Sequence, residues 1–318
     1  MNRTTMWLVA ALAAAAIVVI AALGGRQAAV PKLEGEPTVR LVVDESGTTR
    51  TLPMEAYIQG VVAGEMGQLP SEAGGEADWP HEAYAAQAIL ARSFALSFLG
   101  EDGTVTITTD VEEAQAYAPE NITPAISQAV EATRGMVLVS RGRFVKAWFH
   151  SYSGGHTATA KEGLNYGEPE PNFVAARPMP ENEYVPDETR RWQTAVPLAE
   201  VAAAMRELGR DVGDVTAVEV IERGPSGRAT TLSVTGTRGS ARVHAADLRV
   251  ALDPERVRST LFESVRVEGG QLLLSGLGFG HGVGLSQWDA YRMAKEGRSA
   301  EEILREFFKE IDVVKAWQ

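Results

Sequence analysis

Glu65 is the residue of this chain best placed to move a proton. Upstream of it Met54, Tyr57, Ile58, Val61 and Val62 recur at helical spacing, and Glu65 falls on the next turn of the same inward face. An ionised carboxylate on a core-facing stripe must be paired, neutralised or opened to a cleft. A carboxyl held neutral there is a general acid and, after giving up its proton, a general base. In a second helical stretch Ala85, Ala88, Ile89, Phe94, Ala95 and Phe98 supply apolar positions, and the long polar Gln87 and Arg92 interrupt a run of small residues. The expectation is that Glu65 is catalytic and that Gln87 and Arg92 belong to its shell. The alternative is a structural Glu65–Arg92 ion pair, since such pairs also perturb pKa values.

Two further clusters carry chemistry-bearing residues. Gly276 to Gly284 has glycine at every second position and places His281 in the least encumbered backbone of the chain, just before Ser286 and Gln287. If the run is extended, period two puts the glycines on one open face where a ligand can approach; the alternative is a crowded crossing in the core. The nucleotide-binding fingerprints do not fit this spacing. His150-Ser-Tyr-Ser-Gly-Gly-His156 sets two histidines six apart, with Glu162 beyond as a third possible metal ligand. The spacing matches no strong zinc signature, and histidines hydrogen-bonded at a strand end are the simpler alternative. Ser153 lacks the glycine-flanked elbow of a nucleophilic serine.

A net charge of −12, without an aromatic-interleaved basic run, argues against nucleic acid as a partner. The absence of cysteine excludes disulfides, thiolate metal sites and cysteine nucleophiles. Met6 to Leu23 is an uninterrupted apolar run of 18 residues behind Arg3, with no good cleavage site after it. That pattern predicts a membrane anchor over residues 1–25, the amino terminus cytoplasmic and the remainder outside. Residues 26–37 read as a linker.

The elements that must position these residues follow in mixed order. A hairpin spans Thr38–Val43 and Thr48–Leu52, followed by the helical pair joined by a long acidic connection from Gln68 to Pro80. Thr123-Pro124 opens a helix to about Thr133, and Met136–Ser140 with Phe144–Phe149 forms a second hairpin around Arg141-Gly142. Ser151 to Arg190 reads as a proline-rich surface loop. Pro197–Leu208 is helical, strands follow at Val215–Arg223, Ala229–Thr235 and Ser240–His244, and a helix covers Ala245–Leu252. Strands near Ser264–Val267 and Gln271–Leu274 precede a helix at Trp288–Glu296 and a last one behind the capping box at Ser299. The predicted class is α+β, with mixed, mostly antiparallel strands and packed helices, plus one N-terminal transmembrane helix.

With these pieces in place the sequence resembles the stage II sporulation protein D family (SpoIID/LytB). The resemblance rests on Glu55-Ala-Tyr-Ile-Gln-Gly-Val-Val-Ala-Gly-Glu65-Met, on Glu82-Ala-Tyr-Ala-Ala-Gln87-Ala-Ile-Leu-Ala-Arg92-Ser-Phe-Ala, and on Asp110 with Gln115 and Tyr117. It continues through Ser151-Tyr-Ser-Gly-Gly155-His-Thr157, Gly224-Pro-Ser-Gly-Arg228, Ser259-Thr-Leu-Phe262 and Gly278-Phe-Gly-His-Gly-Val-Gly-Leu-Ser-Gln-Trp288. It implies one catalytic domain over 38–318 that acts on peptidoglycan glycan strands as a lytic transglycosylase, on strands stripped of stem peptides, with Glu65 as acid and base. The expected sugar-binding set is Gln87, Arg92, Tyr117, Ser153, His156, Gly280, His281, Ser286 and Gln287. A second role in the family, enhancement of a wall amidase, makes such a hydrolase a partner. Some relatives bind zinc through cysteine; this chain has none, so no metal is expected, with His150, His156 and Glu162 as the possible substitutes. Two departures stand beside the site: Gly67 replaces the family's proline, and Ser71 to Asp78 looks like an insertion.

Overall fold

The computed structural model describes residues 32–43, 48–70, 75–109 and 114–318. Strand β1 (Thr38–Val42) buries Val39 and Leu41 completely and exposes Thr38 and Arg40, the alternation of a half-buried strand. It pairs antiparallel with β2 (Thr49–Pro53), the expected hairpin, whose tip at 44–47 lies outside the described residues. The chain continues through α1 (Met54–Glu65), a miniature hairpin of β3 (Leu69–Pro70) and β4 (Glu76–Ala77), and α2 (His81–Leu96). Strand β5 (Thr104–Thr108) then returns parallel to β1.

Helix α2 is the spine of this half. Every residue from Ala83 to Leu96 is buried, because alanine-rich faces let neighbours approach on all sides. Packed around it are α1, α3 (Pro124–Ala132) and β6 (Met136–Ser140). Thr123 caps α3 by accepting the Ile126 N–H, with proline in the first turn. Strand β6 turns into β7 (Arg143–Phe144) through Arg141 and Gly142, both at positive φ, a backbone that suits a tight hairpin. The second strand of that hairpin is shorter than its apolar pattern suggested. Beyond it β8 (Phe149–His150) leaves the sheet for a different partner.

A short helix, α4 (Ala160–Leu164), sits inside the stretch expected to be loop, and α5 (Asp187–Arg190) leads into β9 (Arg191–Pro197), a strand the sequence reading left unassigned. After α6 (Leu198–Glu207) come β10 (Val215–Arg223), β11 (Ala229–Gly236) and β12 (Gly239–His244), an antiparallel sheet in that order. Helix α7 (Ala245–Ala251) precedes β13 (Phe262–Glu268) and β14 (Gln271–Leu277), and β14 lies between β13 and β9 in a second antiparallel sheet. The chain re-enters the first half through β15 (Leu285–Ser286), parallel to β8, then α8 (Gln287–Lys295), α9 (Ala300–Phe307) and β16 (Asp312–Lys315), which pairs with β6. Ser299 and Glu302 form the expected capping box.

Two hydrophobic cores result. One draws on residues 39–185 and 283–317, the other on 192–274, so the domain expected over 38–318 has a second lobe inserted in the first. The mixed α+β class with antiparallel sheets is what the structure shows. Its transmembrane element is corrected: among the described residues no helix is long and apolar enough to cross a membrane. The longest, α2, has 16 residues and carries Gln87 and Arg92, whereas a span needs about 20 apolar ones. The anchor and the start of the linker, placed by sequence at residues 1–25 and 26–37, fall in a segment of which residues 1–31 lie outside the described residues.

Candidate active site

Gly60 and Gly64, one turn apart on α1, leave a groove in which residues 114–118 lie directly against the helix. A Cβ on Gly60 would stand 2.2 Å from the Tyr117 ring, and one on Gly64 2.7 Å from the Ala116 backbone. Within the groove the Ala118 N–H donates to the Gly60 carbonyl at 3.0 Å, and Tyr117 stacks on Tyr57 with ring centroids 5.7 Å apart. The consequence falls at Glu65: its Oε1 accepts the Ala116 N–H at 2.6 Å. Burial raises the Glu65 carboxyl to about 7, and the Ala116 hydrogen bond only partly opposes this. The residue also ends α1, where the negative end of the helix dipole disfavours a carboxylate. Glu65 is therefore a half-buried acid that titrates near neutrality.

Its carboxyl opens into a cleft of about 490 Å³ between the two lobes. Trp148, Phe149, His150, Gly280 and His281 line the first-lobe side together with Gln115, and Asp247, Arg249 and Val250 on α7 line the other. Aromatic and apolar wall with a few polar groups is the usual make-up of a small-molecule or sugar site. The two histidines have opposite tautomers. His150 Nδ1 faces the Val283 carbonyl at 3.1 Å and must donate to it, leaving Nε2 a buried acceptor without a partner. His281 Nδ1 accepts the Val283 N–H at 3.0 Å, so its proton is on Nε2. Their rings stand 5.5 Å apart. Burial holds His150 well below the ordinary range, with His281 and Arg228 adding to it, and burial with Arg249 and Arg228 takes His281 to about 3. Both are neutral at physiological pH.

Of the sequence-derived sugar-binding set, the cleft gathers Gly280 and His281. Gln287 and Gln87 stand beneath the acid instead: Gln287 Nε2 donates to the Glu65 carbonyl at 3.3 Å and to Gln87 Oε1 at 3.5 Å. Gln87 is completely buried, so it supports α1 and does not reach a ligand. Tyr117 is half-buried on the α1 groove and helps to position Ala116.

Arg92 requires a correction. Its guanidinium is wholly buried and bound to Glu55, through Nε at 2.9 Å and Nη2 at 2.7 Å to Oε2, with Val130 and Thr133 taking the remaining donors shown. No part of it is available to a sugar. The ion pair considered for it exists, with Glu55 in place of Glu65. Ser153 and Ser286 are corrected for the same reason: both are fully buried, Ser153 Oγ donating to Asp289 Oδ2 at 2.7 Å and Ser286 Oγ accepting the Ser153 N–H at 3.0 Å. His156 does not line the cleft; its Nδ1 lies 2.7 Å from the adjacent Thr157 carbonyl and its own carbonyl accepts from Arg228.

The glycine run is not an open strand. Gly278, Gly280, Gly282 and Gly284 all have positive φ, and an added Cβ would meet the Gly154 backbone at 2.8 Å, His150 Cβ at 2.7 Å, the Arg228 guanidinium at 2.4 Å and the Trp148 carbonyl oxygen at 2.0 Å, respectively. Gly278 and Gly284 are crossed by another backbone, whereas the space beside Gly280 and Gly282 is filled by the His150 and Arg228 side chains. Gly284→Ala should therefore lower the unfolding free energy by about 2–4 kcal/mol, adding left-handed strain to overpacking; chemical denaturation reads this directly. An unchanged midpoint would show that the crossing relaxes without loss.

The residues named as possible metal ligands do not gather into one site. Glu162 Oε1 accepts both the Ser226 N–H at 3.0 Å and its hydroxyl at 2.6 Å, and His156 Nδ1 lies against the Thr157 carbonyl, so the three side chains are committed to different partners. Among the described residues no three His, Cys, Asp or Glu side chains gather as a metal site. Sequence reasoning missed the Ala116 N–H, Asp247 and Arg249. A backbone donor has no side-chain signature, and the two α7 residues come from the other lobe.

The fold and the site define a two-lobed α+β protein with a single near-neutral acid in an interlobe cleft. Residues 44–139, which contain Glu65, match the family model "Stage II sporulation protein", and residues 177–284, which hold the second lobe, match a domain of unknown function (DUF8618). An uncharacterized protein of Brachyspira hyodysenteriae is 28% identical over 83% of this chain and 67% of its own length. Stage II sporulation protein D of Bacillus amyloliquefaciens is 26% identical over 90% of this chain and 81% of its own length. The amidase enhancer of Bacillus subtilis is 21% identical over 76% of this chain and 39% of its own length. These matches support the resemblance of the chain to the SpoIID/LytB family.

Proposed function

We propose that this protein is an extracytoplasmic lytic transglycosylase that cuts peptidoglycan glycan strands between N-acetylmuramic acid and N-acetylglucosamine. The observation that carries the proposal is the Glu65 carboxyl, raised to about 7 by burial and opening into the interlobe cleft. Near neutral pH a good share of the molecules hold the proton needed by an acid. Glu65 donates that proton to the glycosidic oxygen as the bond to the muramoyl anomeric carbon breaks. The muramoyl 6-hydroxyl closes on that carbon, and the Glu65 carboxylate takes the hydroxyl proton. The enzyme is restored, no water is consumed, and the new end is a 1,6-anhydro sugar. One carboxyl serves both transfers, whereas hydrolysis uses two, and no cofactor enters the scheme. The Ala116 N–H steadies the carboxylate between the two transfers.

The test is mass spectrometry of products from purified glycan strands freed of peptide. Anhydro ends are the expected result. Reducing ends would make water the nucleophile and overturn the transglycosylase assignment. A second reading, a non-catalytic glycan-binding partner that stimulates a wall amidase, is favoured by the amidase enhancer among the relatives. Strand binding without any cleavage, together with stimulation of an added amidase, would decide for it.

A further inference from the structure

The turn between β10 and β11, Gly224 to Arg228, belongs to the second lobe by sequence but ends inside the first. Arg228 is completely buried there. Its Nη2 donates to the Ser153 carbonyl at 2.7 Å, and its Nη1 donates to the His156 carbonyl at 2.7 Å and to Ser226 Oγ at 3.0 Å. Ser226 in turn gives its hydroxyl proton and its N–H to Glu162 Oε1 on α4. A buried guanidinium of one lobe and a buried carboxylate of the other thus meet through one serine hydroxyl. Two glycines make room for them: a Cβ on Gly224 would stand 2.5 Å from the Glu162 carboxyl, and one on Gly282 2.4 Å from the Arg228 guanidinium.

Buried charges are a weak source of stability, because desolvation offsets most of their attraction, but their fixed hydrogen-bond directions favour one arrangement over its neighbours. This clasp stands where such a preference reaches the cleft. Gly282, against which the guanidinium rests, lies between His281 and Val283, and Val283 supplies the carbonyl and the N–H that orient His150 and His281. At the other end of the clasp, Gly163 and Leu164 of α4 line the cleft beside Ala246 and Asp247 of α7, and Asn165 Nδ2 donates to Asp247 at 2.8 Å. We propose that Arg228 is a positioning residue of the cleft: seated in the first lobe, it sets how far the α7 wall stands from Glu65 and holds the backbone that orients the two histidines. The proposal goes beyond the reaction given above and does not depend on which ligand the cleft takes.

The experiment reads the separation of the lobes in the full chain. The chain has no cysteine, so spin labels go only where Glu131→Cys on α3 and Glu219→Cys on β10 put them, both at exposed positions. Electron–electron resonance on this otherwise wild-type protein is expected to give a single narrow distance. Arg228→Met should lose that single peak for a broad distribution, with circular dichroism unchanged. Arg228→Lys, which keeps a charged donor for the Ser153 and His156 carbonyls, should recover part of it. Ser226→Ala, which removes only the hydroxyl between Glu162 and Arg228, should broaden the peak less, and it decides the matter if Arg228→Met does not fold. Glycan cleavage is followed beside the distances, and kcat should fall at least about ten-fold in Arg228→Met, since small displacements of positioned groups are costly, and recover in part in Arg228→Lys. A folded Arg228→Met, or in its place Ser226→Ala, with the wild-type distance distribution overturns the positioning role, whether or not cleavage is lost. Absence of cleavage by the wild type overturns the proposed reaction instead and leaves the distance result standing.

Discussion

Glu65→Gln should reduce strand cleavage by at least about 10²-fold, the scale on which a positioned general acid and base acts, while binding of glycan persists. Glutamine keeps the length of the side chain, and its amide oxygen can still accept the Ala116 N–H, so the groove on α1 stays formed. The amide has no proton to give to a leaving oxygen. In the wild-type enzyme the acid step should weaken as pH rises through about 7, where the carboxyl ionises. Stability should move in the same direction. The folded pKa lies above the ordinary glutamate value of 4.5, so the protonated form favours folding; this contribution is complete below about 4.5 and is lost as pH rises through about 7. Glu65→Gln should accordingly match wild type at pH 4 and exceed it at pH 8. The excess has an upper bound of about 3 kcal/mol, reduced by solvent screening at a half-buried group. Thermal melts at the two pH values, beside a cleavage assay, separate the catalytic from the structural contribution. A variant that cleaves at the wild-type rate removes Glu65 from the mechanism.

Arg92→Ala should unfold the first lobe rather than weaken sugar binding, with a loss of about 3–5 kcal/mol as expected for half of a buried ion pair. Arg92 joins α2 to Glu55 on α1 and to Val130 at the end of α3. Glu55 Oε1 also accepts the Gly135 N–H at 3.0 Å, and the Glu55 N–H is held by Glu36, which pairs with Arg134. Deleting the guanidinium leaves the Glu55 carboxylate buried with one backbone donor. A double change, Arg92→Met with Glu55→Leu, should regain much of the stability because it removes both charges together. Calorimetry of the single and double variants measures the coupling. If Arg92→Ala melts like wild type and instead lowers affinity for glycan, the guanidinium is available to ligand and the pairing with Glu55 is not what fixes it.

The sequence by itself determined much of the local structure, for reasons that are local. Alternation made β1 and the strands of the second lobe legible, Thr123-Pro124 and Ser299 marked helix starts, and Arg141-Gly142 marked a hairpin. Glu65 was legible too, since a carboxylate on an inward helical stripe demands an explanation before any partner is known. The antiparallel packing of α1 against α2 decided what the polar residues of α2 do. Tyr84 bonds the Gly67 carbonyl at 2.6 Å, which sets Gln87 near Glu65 and Arg92 near Glu55. The sequence reading paired Arg92 with Glu65, whereas Glu55 stands about 15 Å away on the same helix and is the residue the packing brings to it. Glycine spacing likewise carried two meanings, and only the crossing of residues 148–154, with Arg228 beside Gly282, showed that the faces were already occupied. The cleft was least legible of all. Its second wall is α7, some 180 residues from Glu65 in the chain, and no periodicity within a segment encodes which distant segment will face it.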